Sequence, residues 1–329
     1  MILITGGAGF IGSVLVRDLN CRGHKNLIIV DRLGKAEKWK NLKHAVFEDF
    51  IHADDLFQED RDDLFSQVSA IYHMGACSST TENDVDFLMG NNYSFSKNIF
   101  TLATHYNIPL VYASSAATYG DGELGYTDSH DQMHTLLPLN PYGFSKKTFD
   151  DWVLAQKTAP SKWFGIKFFN VYGPNEYHKG EMRSIVHKAF GQIQSTGKVK
   201  LFKSHKTGFK DGEQLRDFVY VNDVTDAMIS LIEGANKQDS GIYNMGTAKA
   251  RSFLDLTNAV FRALDKTPNI EYIDMPLNIR DQYQYFTEAE MDKMQRILPK
   301  LKFHTLEEGV KDYVQNYLVK NDPYYRGQK

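Results

Sequence analysis

Met1-Ile2-Leu3-Ile4-Thr5-Gly6-Gly7-Ala8-Gly9-Phe10-Ile11-Gly12 is the stretch that decides the fold. Five residues, mostly apolar, suit one short buried strand, and the glycines end it abruptly. A helical pattern then runs from Phe10 to Leu19. A strand, a glycine turn and a helix in this order form a dinucleotide cradle. Gly6 and Gly9 permit the tight turn and the close approach of backbone to a pyrophosphate, which sits at the positive end of the helix. Gly12 lets the helix pack closely on the sheet. The spacing is GxxGxxG.

Working outward, Asn26 to Val30 is a second apolar run, and it stops at Asp31. An acidic side chain at that point accepts hydrogen bonds from a ribose hydroxyl. Arg32 and Lys38 follow, and two cations beside the carboxylate suit a 2′-phosphate. NADP is therefore favoured as the cofactor, with NAD the alternative. Further strand candidates are Ala45–Phe47, Ala70–His73, Pro109–Ala113 and Trp163–Phe169, separated by helical stretches at Leu56–Gln67, Glu82–His105 and Tyr142–Ala155. Short apolar strands alternating with helices predict an α/β fold, a doubly wound parallel sheet of the Rossmann type. After Asn170 the alternation loosens. Strands are expected at Lys200–Phe202 and Phe218–Val221, and helices at Met182–Gln194, Val224–Glu233, Phe253–Ala263 and Leu306–Leu318. We expect a cofactor domain over 1–170 with a return segment near 216–235. A smaller C-terminal substrate lobe should cover 171–320, with a polar surface loop at His205–Gln214. A loosely held tail is expected over 321–329.

Composition narrows the function. The chain has 329 residues and a net charge of −3, which leaves no basic footprint for nucleic acid. Its two cysteines, Cys21 and Cys77, and its scattered histidines offer no metal-ligand spacing. No segment reaches the roughly 18 apolar residues of a membrane span. With no basic region ahead of the first strand, the expected location is cytoplasmic.

The chemistry is expected at Tyr142-Gly143-Phe144-Ser145-Lys146. Tyr and Lys four apart on a helix share one face, where the ammonium favours the phenolate. Ser114-Ser115 follows the strand expected at Pro109–Ala113, outside the carboxyl ends of the strands, where ligands bind. Ser115 is placed to hold a substrate oxygen while Tyr142 moves its proton. Lys146 is expected to hold the nicotinamide ribose and keep the phenol acidic.

Together the glycine loop, Ser115, Tyr142 and Lys146, with Asn170-Val171-Tyr172-Gly173-Pro174 and Arg216-Asp217-Phe218-Val219-Tyr220-Val221, resemble the extended short-chain dehydrogenase/reductase superfamily over essentially the whole chain. Gly75-Ala76-Cys77-Ser78-Ser79-Thr80-Thr81-Glu82, His178-Lys179-Gly180 and Gln284-Tyr285-Phe286-Thr287 narrow the resemblance to the ADP-L-glycero-D-manno-heptose 6-epimerases. That resemblance implies a tightly bound NADP, an ADP-heptose substrate, a homo-oligomer (a pentamer in that group) and a place in lipopolysaccharide core synthesis. It also implies cofactor contacts from Phe10, Ile11, Asn91, Val171 and the run Met74, Gly75, Ala76, Cys77 and Ser78. Lys179 becomes a second acid/base group beside Tyr142, next to the cofactor. Substrate contacts fall to Asn170, Glu181, Lys188, Arg216 and Tyr283, and to Phe202, Lys203 and Ser204 for the ADP portion. Met74, Ala53 and Glu181 depart from the residues usual in that group. Two rival readings stay open, another nucleotide-sugar enzyme such as a UDP-hexose 4-epimerase or a 4,6-dehydratase, and a non-enzymatic NADP-binding sensor.

Overall fold

Leu3 and Ile4 are adjacent and fully buried, which a strand allows only when helices cover both faces of its sheet. The computed structural model describes residues 1–58, 61–280 and 283–327. In chain order its strands are β1 (Ile2–Thr5), β2 (Leu27–Asp31), β3 (Asp49–His52), β4 (Ala70–His73), β5 (Leu110–Ser115) and β6 (Trp163–Phe168). They continue as β7 (Asn170–Tyr172), β8 (Val199–Phe202), β9 (Leu215–Tyr220), β10 (Gly241–Met245), β11 (Ala250–Ser252) and β12 (Ile270–Ile273). Seven of them form one parallel sheet in the order β10-β6-β5-β4-β1-β2-β3. The chain reverses direction across the sheet between β1 and β4, so the carboxyl ends of these two strands open the crevice in which such folds bind ligands.

Register explains the two faces. Leu3, Val30, Ile71 and Leu110 point to one apolar cluster with Ile99, Phe100 and Phe149 from the covering helices. Ile4, Ile29, Tyr72 and Val111 point to the other, with Leu15, Leu19 and the Val221–Gly234 helix. A third cluster joins Phe10 and Val14 to Val186, Leu201, Phe218, Val260 and Val310, the core under the C-terminal elements. There β7 and β11 flank β9 in a three-stranded sheet, and β8 pairs with β12.

Three sequence expectations are corrected. The third strand is Asp49–His52, not Ala45–Phe47, whose Val46 is exposed. The helix expected over Leu56–Gln67 shrinks to Asp62–Phe65, and its residues 59–60 lie outside the described ones. The tail is not loose over its described part, and residues 328–329 lie outside it. Tyr325 is fully buried, its hydroxyl donating to Asp18 Oδ1 at 2.5 Å and its N–H to Asn175 Oδ1 at 2.9 Å. The return expected near 216–235 is made by the Val221–Gly234 helix, which packs on the main sheet, while the strand that rejoins that sheet is β10, further on, and β9 joins the three-stranded sheet.

Candidate active site

The glycine loop is built for a phosphate. Gly6 holds a positive φ of 66°, and a Cβ there would lie 2.6 Å from the Gly75 nitrogen. A Cβ on Gly12 would lie 2.2 Å from the Gly6 carbonyl oxygen. The Phe10–Cys21 helix starts at Gly9 with no side-chain cap, which leaves its first N–H groups facing outward. These features fit the pyrophosphate of a dinucleotide. At the end of β2, Asp31 Oδ2 accepts the Ala8 N–H at 2.8 Å, and Oδ1 accepts the Arg32 N–H at 2.7 Å and the Lys38 ammonium at 2.5 Å. Arg32 in turn pairs with Asp54 and donates to Asn91 Oδ1 at 2.8 Å.

Asn140 caps the Pro141–Leu154 helix by accepting the Gly143 N–H at 2.8 Å, with Pro141 preset for the first turn. The helix buries Tyr142 and Lys146 on one face, 8% and 2% exposed. Burial first pushes the Tyr142 phenol up, and the neighbouring Ser115 hydroxyl pulls it partly back. The expected acidification rests on Lys146 together with the positive nicotinamide ring, and the protein's own groups by themselves leave the phenol raised. Burial also lowers Lys146 to about 8, and the Asp150 carboxylate opposes that. Its ammonium donates to the Ala113 carbonyl at 2.8 Å, which fixes it beneath the end of β5.

Asp150, one turn further, is a residue that the sequence reading missed. It accepts from Lys167 at 2.9 Å, Ser114 at 2.6 Å and Tyr112 at 3.2 Å, in a pocket where both charges are about 1% exposed. Lys167 also donates to Thr118 at 2.6 Å. The only sequence signal was Tyr-x3-Lys-x3-Asp on one helical face. A helix charge is usually solvated, so the signal was weak.

Lys179 sits on a one-turn element, Tyr177–Met182, half-buried with its ammonium 5.5 Å from the Phe10 ring centre. Burial lowers its pKa, and Glu176 works against that. The turn is pinned at several points. Glu176, 1% exposed, accepts the Ser184 N–H at 2.5 Å and hydroxyl at 2.6 Å. Asn175, at a positive φ of 73°, donates to Ser13 at 2.9 Å. Asn41 links the Ala8 and Asn175 carbonyls at 2.9 and 3.0 Å, tying this turn to the glycine loop. Tyr177 donates to the Pro323 carbonyl at 2.7 Å.

One cavity of about 1170 Å³ gathers these groups. A single small-molecule pocket is typically roughly 300–1,000 Å³, so this volume suits more than one ligand. Gly6, Gly9, Gly12, Asp31, Lys38, Asn91 and Met74 to Ser78 line it, as do Ser115, Tyr142, Lys146 and Lys179. So do Asn170, Val171, Glu181, Lys188, Phe202, Arg216 and Tyr283. Arg216 lies 5.2 Å from the Tyr283 ring centre and donates to the Leu215 carbonyl at 2.8 Å and to the Gln284 carbonyl. Lys203 and Ser204 are not brought to the wall. Lys203 turns to Asp274 at 3.6 Å, and the Ser204 hydroxyl donates to the Lys206 carbonyl at 3.0 Å. Among the described residues no cluster of His, Cys, Asp and Glu could hold a metal. No helix among them is long and apolar enough to cross a membrane.

Residues 2–246 match the NAD dependent epimerase/dehydratase family. A protein of Fusobacterium nucleatum named ADP-L-glycero-D-manno-heptose-6-epimerase is 52% identical over 98% of this chain and 100% of its own length. One of the same name from Nitratidesulfovibrio vulgaris is 47% identical, also over 98% and 100%. The crystal structure of the Helicobacter pylori ADP-L-glycero-D-manno-heptose-6-epimerase superposes with a TM-score of 0.80 at 30% identity, covering 96% of this chain and 95% of that one. The cradle thus serves a nicotinamide nucleotide, and this chain belongs to the NAD-dependent epimerase/dehydratase family.

Proposed function

We propose that this protein is an ADP-glyceromanno-heptose 6-epimerase that interconverts ADP-D-glycero-β-D-manno-heptose and ADP-L-glycero-β-D-manno-heptose. Near-full-length relatives of that name support the substrate. The observation that carries the chemistry is the meeting, in one cavity, of two proton-transfer groups from separate elements, Tyr142 and Lys179. A group that only oxidises or only reduces needs one such residue. Inverting a carbon requires proton traffic in two orientations of the sugar.

The bound nicotinamide nucleotide supplies a reversible hydride acceptor. Ser115 holds the C6″ oxygen, and Tyr142 withdraws its proton. After the sugar end turns, Lys179 serves the oxygen in its second orientation. Its lowered pKa raises the neutral fraction that a base requires. Lys146, fixed by the Ala113 carbonyl, presents positive charge beneath the phenol and the ribose. Arg216 meets the pyrophosphate of the substrate, with Phe202 and Tyr283 beside the adenosine.

NADP is the favoured cofactor. The Asp31 carboxylate is already compensated by Lys38 and two backbone N–H groups, and Arg32 and Lys38 stand beside it for a 2′-phosphate. Nucleotide released by denaturing the purified protein should weigh as NADP; NAD alone would reverse this assignment. The protein is further proposed to be a cytoplasmic homo-oligomer, pentameric as in the group it resembles, supplying lipopolysaccharide core precursors.

Incubation with ADP-D-glycero-β-D-manno-heptose, followed by chromatographic resolution of the two epimers, tests the function. Interconversion is expected without added reductant. No interconversion, with turnover of UDP-galactose instead, would move the protein to another nucleotide-sugar class.

A further inference from the structure

One wall of the cavity is made by the Ile185–Thr196 helix and by β8. Ile185, Lys188, Ala189 and Gln192 line it at the spacing of a single helical face. Lys200 and Phe202 line it from β8. That strand pairs with β12 along one edge, where the Val199 N–H donates to the Asn269 carbonyl at 3.0 Å and the Lys203 N–H to the Ile273 carbonyl at 2.8 Å. Successive residues of a strand direct their N–H and C=O groups to opposite edges. Those of Lys200 and Phe202 therefore point away from β12.

Gln192 occupies this second edge. Its Oε1 accepts the Lys200 N–H at 2.8 Å. The bond fixes the sense of the amide, because only the oxygen can face an N–H. Nε2 is then left with protons to donate. It has no partner among the described residues, yet it is not one of their buried unpaired atoms, so it is open to solvent. Gln192 is half-buried and lines the cavity, which gives that nitrogen a ligand to meet. The Lys200 carbonyl, on the same edge, sets an acceptor beside this donor.

We infer that Gln192 selects the base of the nucleotide substrate, its amide nitrogen donating to N1 of adenine while the Lys200 carbonyl accepts from the 6-amino group. A donor beside an acceptor matches adenine, whose N1 accepts and whose amino group donates. Hypoxanthine and uracil reverse both roles, with a ring N–H to donate and a carbonyl oxygen to accept. The ribose of the cofactor is assigned to Asp31 at the end of β2, which leaves this edge to the substrate. The inference rests on the ADP-heptose reading proposed above, and its test separates the two.

Holoenzyme that retains its nicotinamide nucleotide is titrated by calorimetry with ADP, inosine diphosphate and UDP, as wild type, Gln192→Glu and Gln192→Met. Wild type should prefer ADP to inosine diphosphate. Gln192→Glu keeps an oxygen for the Lys200 N–H and turns the donor into an acceptor, so its melting temperature should hold while the preference falls about tenfold or more. Gln192→Met removes the donor without reversing it and should reduce the preference by about three- to tenfold. An unchanged preference in both variants, or equal weakening of ADP and inosine diphosphate, would overturn the inference. Wild type that binds UDP in place of ADP would overturn the ADP-heptose reading itself.

Discussion

Tyr142 and Lys179 line one cavity but are mounted in opposite ways. Tyr142 rides a helix of fourteen residues, capped at its start by Asn140 and packed on the main sheet. Lys179 rides a six-residue 3-10 segment, Tyr177–Met182, broken at Gly180 with a positive φ of 54°. Its position depends instead on point contacts from Glu176, Asn175, Asn41 and the tail. A helix on a sheet fixes a side chain through many weak contacts, so losing one matters little. A pinned turn concentrates the same task in a few hydrogen bonds, each of which counts.

The first way to break this comparison is to remove the groups themselves. Tyr142→Phe should lower kcat by about 10³-fold or more with the cofactor still bound, as expected for the loss of a proton-transfer group. Near-normal turnover would take Tyr142 out of the chemistry. Lys179→Met should cost roughly 10²-fold in kcat. A change confined to KM would make it a binding residue only.

The second way concerns what lies behind each group. The Asp150 carboxylate supports the charge of Lys146, which burial nonetheless lowers to about 8. A lowered lysine pKa means that its charge is lost as pH rises through that value. In the free enzyme kcat/KM should therefore decline on the alkaline side near pH 8. In Asp150→Asn the support is gone, so this decline should move to lower pH, and a stationary profile would exclude Asp150 from tuning. The same substitution strands Lys167, so thermal unfolding should show a loss of about 3–5 kcal/mol.

The smallest expected effects test the pins. Tyr325→Phe removes the bond to Asp18 and leaves the backbone bond to Asn175. A kcat decrease of about twofold or less is expected. Glu176→Gln can still accept the Ser184 N–H with its amide oxygen, while its amide nitrogen must donate to the Ser184 hydroxyl, and it drops the charge that opposes the lowering of the Lys179 pKa. The acid limb that reports Lys179 should then shift to lower pH, with kcat changed by only a few-fold. If both variants behaved like wild type across the pH range, the idea of a turn held by a few bonds would fall.

Most of the main sheet was legible because its strands are apolar runs of nearly the right length, and Ala70–His73 was bounded as observed. The edge strands were harder. Asp49-Phe50-Ile51-His52 pairs on one side only and carries just one fully buried residue, whereas Ala45-Val46-Phe47 is more apolar yet unpaired. The Tyr142–Lys146 pair was legible from helical spacing. The Asp150–Lys167 pair was not, since a charge on a helix is assigned to solvent unless the fold supplies its partner from a distant strand. The tail misled for a similar reason. Its terminal position suggested looseness, but Tyr324 packs on Tyr177 and Tyr325 bonds to Asp18 and Asn175.

That docking has a consequence for the order in which the protein is made. Asp18 waits for a partner 307 residues downstream. At a synthesis rate of roughly 5–20 residues per second, the wait is on the order of 15 to 60 seconds. Through that interval the first helix and the glycine loop can form, but the turn that carries Lys179 lacks one of its anchors. A nascent chain would thus acquire its cofactor cradle well before the Lys179 turn is secured by the docking of Tyr325 on Asp18 and Asn175.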